Sequence, residues 1–61
     1  MKYKAGDLLQ DYHPETKGKN NLIMILQATA EQYVVWKGMS DAIVEWDRRG
    51  LDTDPYIRKV K

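Results

Sequence analysis

Cysteine is absent from the 61 residues, which removes both the disulfide framework of small secreted domains and any thiolate zinc site. The expected setting is a reducing compartment, a bacterial or host cytoplasm, or a packed assembly. Phenylalanine is absent as well, so the aromatic complement is two Trp and four Tyr. These residues join an apolar body to a polar tip and are favoured at protein interfaces. Long apolar runs are also missing. The longest, Leu22 to Leu26, is far below the ~20 residues that span a bilayer. The opening MKYKAGDLLQDY carries charge where a signal peptide needs an apolar stretch, so neither secretion nor membrane insertion is expected. Nor does either sign of charge dominate. Ten Lys and Arg face nine Asp and Glu, for a net charge of +1, which argues against a strong polyanion binder and against an acidic mimic of DNA.

What is present is organised around Leu22 to Lys37, LIMILQATAEQYVVWK. Its two apolar runs are rich in β-branched and aromatic residues, which pack well on a pleated surface, so the stretch predicts two strands joined by a polar turn. One helix through all sixteen residues is disfavoured, because Val and Tyr lose rotamer freedom against the preceding helical turn. Trp36 ends the most apolar strand and is expected in the core.

Before this hairpin, a first strand is expected around Lys4 to Gln10, with Gly6 permitting a bulge or a close backbone approach. Asp11 to Asn21 is polar and punctuated by Pro14, Gly18 and Asn20, which marks a loop of about ten residues. After Gly38, the stretch Asp41 to Pro55 has two readings. As a strand, Ala42, Val44 and Trp46 alternate with Ile43 and Glu45, and Asp47 to Asp54 makes a short turn or a single 3₁₀ turn. As a helix near residues 41–49, it would start on Ser40 and stop at Gly50. Pro55 then opens a last strand, Tyr56 to Val60. The strand reading gives a mainly β chain of five short strands in one small domain over residues 1–61. The helix reading gives an α+β fold.

The opening K-x-G-D-L, the strand ending VVWK, the V-E-W strand with its polar helical turn, and the closing Y-I-R-K-V resemble the SH3-like small β-barrels. They are most similar to the short, uncharacterised ones encoded by tailed bacteriophages. The resemblance runs from Lys4 to Val60. It implies a five-stranded SH3-like barrel with a long first loop and a short helical or 3₁₀ turn before the last strand, viral origin, and a host-cytoplasmic location.

No catalytic constellation assembles. His13 is the one histidine, a loop residue beside Pro14 and Glu15 that reads as solvated surface. Asp41, Asp47, Asp52 and Asp54 lack the other ligands of a calcium loop and read as caps and turns, so no metal and no cofactor is expected. Ser40 and Thr53 have no His partner nearby in sequence. Arg48 and Arg49, set between Asp47 and Asp52, read as a locally neutralised turn.

Two binding readings remain. A non-catalytic protein-interaction or assembly module would dock through an edge strand or an aromatic patch drawn from Tyr12, Trp36, Trp46 and Tyr56. Inhibition of a host enzyme or defence protein is a variety of this reading. A nucleic-acid binder would instead use the basic terminal strands, where Lys2, Lys4, Arg58, Lys59 and Lys61 are expected to converge. Monomer and dimer both fit.

Overall fold

Alternation at a period of two sorts the apolar residues onto the two faces of one sheet. The computed structural model describes residues 2–16 and 21–60. In them the chain forms β1 (Leu8–Asp11), a 3₁₀ turn (Pro14–Thr16), β2 (Leu22–Ala28), β3 (Gln32–Lys37), β4 (Ala42–Asp47), α1 (Arg48–Asp52) and β5 (Ile57–Lys59). The strands make one open antiparallel sheet in the order β4-β3-β2-β1-β5, with β4 and β5 at its edges. The protein is therefore mainly β with one short helix. Residues 41–49 are not one helix, because Ala42 to Asp47 pair with β3 along their whole length. The short helix comes after them and contains Gly50 rather than stopping at it.

The hairpin forms between β2 and β3 as predicted, without Gly, Pro or Asn in its turn. Thr29 supplies what those residues would. Its amide donates to the Gln32 carbonyl at 2.8 Å, and its hydroxyl oxygen accepts from the Gln32 amide at 3.0 Å, so a side chain closes the turn. A bulge follows the buried Ile25. Ile25 faces Val35 and Gln27 faces Val34, which leaves Leu26 as the extra residue and bends β2.

The first strand starts later than expected. Lys4 to Asp7 form a turn instead, closed by the Asp7 amide on the Lys4 carbonyl at 3.0 Å and by the Lys4 amide on the Asp7 carboxylate at 3.0 Å. Gly6 takes φ +94° within it, a conformation that L side chains rarely adopt. The turn still joins the sheet. The Gly6 amide donates to the Ile25 carbonyl at 2.8 Å, and the Ile25 amide to the Asp7 carbonyl at 2.9 Å.

On the inner face the core comprises Tyr3, Leu9, Ile23, Ile25, Tyr33, Val35, Leu51 and Ile57. Leu51 is the buried residue of α1. Trp36 is not among these residues, contrary to expectation. Tyr33 and Val35 take the inward positions of β3, so the period of two turns Trp36 outward. The buried phenol of Tyr33 is anchored at both roles: its oxygen accepts from the Tyr3 amide at 3.2 Å, and its hydroxyl donates to Asp52 in α1 at 2.5 Å. Burial first, and the Asp52 carboxylate second, push the Tyr33 hydroxyl pKa above its ordinary value.

Candidate functional site

Register decides what the solvent face displays. Leu8 lies opposite Met24, Met24 opposite Trp36, and Trp36 opposite Ile43. On the far side of β1, the Val60 amide donates to the Leu8 carbonyl at 2.8 Å, extending the β1–β5 ladder by one position. The result is an apolar row, Val60, Leu8, Met24, Trp36 and Ile43, running across all five strand positions of the outer face. Several members are well exposed: Ile43 at 66%, Val60 at 47% and Met24 at 36%. Exposed Leu26 and Met39 lie along the same chain segments.

Trp36 is the fixed member of this row. Its indole N–H donates to the Asp41 carboxylate at 2.9 Å, and Asp41 itself sits at φ 51°, a left-handed position that Asp tolerates better than most residues. The ring leans over Gly38. A Cβ there would stand 3.1 Å from ring atom Cη2 and 3.1 Å from the Leu22 carbonyl oxygen, so Gly38 leaves the notch that the indole occupies. A large aromatic surface held in one orientation loses little rotamer entropy when a partner covers it.

The other residues expected in an aromatic patch are not gathered around Trp36. Trp46 lies on the inner side of β4, partly buried against the core, with the Lys37 ammonium 5.7 Å from its ring centre. Tyr12 and Tyr56 are neighbours at the end of the β1–β5 ladder, where the Tyr12 amide donates to the Tyr56 carbonyl at 2.7 Å. The four aromatics thus occupy three places. Met24, Ile43, Leu8 and Val60 were not singled out by sequence, because their alignment depends on strand register, which composition does not reveal.

The expected convergence of basic residues is partial. Arg58 stands 6.0 Å over the Tyr12 ring, and Lys59 pairs with the buried Asp7 at 3.5 Å. That contact, after the Lys4 amide bond and alongside burial that opposes it, helps to hold the Asp7 carboxyl below its usual pKa. Lys2 turns to α1, donating to the Asp52 carbonyl at 3.4 Å, while Lys4 is exposed. Lys61 lies outside the described residues, as do Gly18 and Asn20 of the first loop. Arg48, read from sequence as neutralised, ties α1 to the hairpin turn, donating to the Thr29 and Ala30 carbonyls at 3.0 and 3.2 Å and pairing with Asp52 at 3.7 Å.

Beside α1, a cleft of about 520 Å³ separates β4 from the start of the first loop. It is lined by the apolar Trp46, Leu51 and Ile57, by His13, and by the acidic residues Asp11, Glu15, Glu45, Asp47 and Asp54. Among the described residues, no group of three or more His, Cys, Asp or Glu is arranged to hold a metal ion. No helix among them is long and apolar enough to cross a membrane. Comparison of the chain with protein-family models, with curated proteins and with solved structures found no match.

Proposed function

We propose that this chain is a small, non-catalytic protein-interaction module of the SH3-like barrel type that docks a protein partner through its outer apolar row, with Trp36 as the anchor. The observation that carries the reading is the row itself: five apolar residues aligned across the solvent face at positions where an isolated sheet would carry polar side chains. The strand order β4-β3-β2-β1-β5, with a short helix between β4 and β5, supports the SH3-like reading. Phage origin, a host-cytoplasmic setting and action as an inhibitor of a host enzyme or defence protein belong to the same proposal through the resemblance.

The test compares the purified chain with a Met24→Glu, Ile43→Glu double variant in capture from host lysate, each with and without nuclease. Protein bands that survive nuclease and vanish with the double variant are expected. Bands indifferent to the double variant would discard the row as the docking surface.

One observation favours nucleic acid as the alternative partner: the Arg58 guanidinium beside the exposed Tyr12 ring offers a stacking surface for a base. Engagement of Lys59 by Asp7 weighs against it. Capture lost with nuclease, and binding of a single-stranded oligonucleotide that falls steeply with salt, would transfer the function to this edge.

A further inference from the structure

His13 lines the cleft with a carboxylate at each ring nitrogen. Nδ1 is paired with Asp11 Oδ1 at the end of β1, and Nε2 lies 3.1 Å from Asp54 Oδ2 in the turn before β5. A carboxylate only accepts, so filling both contacts takes two N–H donors, which imidazole has only in its protonated form. The site is also fixed from behind. Asn21 donates through Nδ2 to the other Asp11 oxygen at 2.9 Å, the His13 amide donates to Asp11 Oδ1 at 2.9 Å, and Asp54 Oδ1 accepts from the Tyr56 amide at 2.9 Å. The Tyr56 ring packs on the imidazole with centroids 4.9 Å apart. Asp11 is thus held by Asn21 and by the His13 amide, and Asp54 by the Tyr56 amide.

We propose that His13 is a proton-operated clasp: as imidazolium it ties the end of β1 and the following loop to the turn before β5, and loss of one proton releases one of the two carboxylates. Neutral imidazole keeps a single N–H and a single lone pair. One of its nitrogens must then face a carboxylate lone pair to lone pair, and that contact opens. Since His13, Glu15 and Asp54 all line the 520 Å³ cleft, the opening loosens one wall of the cleft. The clasp does not depend on the outer row and stands whether or not a protein docks there.

Among the described residues, three carboxylates act on the ring and favour the closed form. Asp11 of β1 acts most strongly, through its hydrogen bond, with Asp54 of the β5 turn and Glu15 of the 3₁₀ turn adding attraction over longer range. Together they raise the His13 pKa above the ordinary value despite partial burial. A group whose pKa is higher folded than unfolded contributes stability fully below the unfolded value of about 6.5 and loses it as pH rises through the folded value. The clasp is therefore closed in mild acid and opens above that point.

The experiment is an NMR titration of the full chain from about pH 5 to about pH 9, a range that brackets histidine ionisation. It follows the His13 ring together with the Asp54 and Tyr56 amides in wild type, Asp54→Asn and His13→Gln. Asp54→Asn keeps an oxygen for the Tyr56 amide, removes the charge, and replaces the acceptor facing Nε2 with an N–H donor, so it no longer favours the protonated ring. The expected result is a His13 midpoint above about 6.5, shared by the Asp54 and Tyr56 amides, moved down by Asp54→Asn and absent from the amides in His13→Gln. A midpoint at or below the ordinary value, one that Asp54→Asn leaves in place, or amides that stay flat through it would each overturn the clasp.

Discussion

Tyr33 shows how a single residue carries packing and polarity together. Its ring is fully buried, 5.9 Å from that of Tyr3, and its hydroxyl bridges the Tyr3 amide and the Asp52 carboxylate. Tyr33→Phe keeps the packing and strands both partners, so it is expected to destabilise by about 1 to 3 kcal/mol, the range for unsatisfied buried groups. Urea unfolding of the two proteins measures it. A loss below about 0.5 kcal/mol would mean that water replaces the hydroxyl at both partners. At this scale the sequence was only half legible. That Tyr33 and Val35 lie in a strand follows from their type, but which parity of that strand faces inward does not. Trp36, at the end of the most apolar strand, drew the core assignment that belongs to its neighbours. Its own partner, Asp41, is brought within reach by a left-handed turn residue that no local pattern announces.

Among the elements, α1 has the least support of its own. Five residues are too few to form a stable helix in water, and Gly50 lies within them. It exists because its ends and one face are taken up. Asp47 caps it by accepting from the Gly50 amide at 3.0 Å, Thr53 closes it on the Arg49 carbonyl, Leu51 enters the core, and Arg48 fastens it to the β2–β3 turn. Asp47→Ala is expected to cost about 1 kcal/mol and Asp47→Asn much less, since Asn also caps well. Thermal unfolding of the pair distinguishes the cap from simple removal of charge, and equal losses would assign the effect to charge. The sequence showed most at this scale. The hairpin was readable from its β-branched runs, the V-E-W strand was one of two readings of its stretch, and the turn before the last strand, expected as a short or 3₁₀ turn, is an α-helical one. The extra residue at Leu26 was not readable, because a bulge depends on which partners meet across the ladder.

For the whole molecule, the arrangement of one sheet with two unlike apolar faces makes the faces separable by mutation. A 61-residue domain has a total stability of about 3 to 9 kcal/mol, so the inner face has little to spare. Ile25 is fully buried there, and Ile25→Ala is expected to remove about 2 to 5 kcal/mol, enough to leave a substantial unfolded population. Ile43 has the same side chain, in a strand of the same sheet, at 66% exposure. Ile43→Ala is expected to change stability by no more than about 0.5 kcal/mol. Urea unfolding of both variants settles the comparison. Equal losses would show that the outer row is itself packed by the fold and has no surface to offer. With the expected inequality, the apolar side chain of Ile43 has no folding role to account for it. The docking proposed for the row then gives Ile43 a role, in line with Met24 and Trp36 on the outer face.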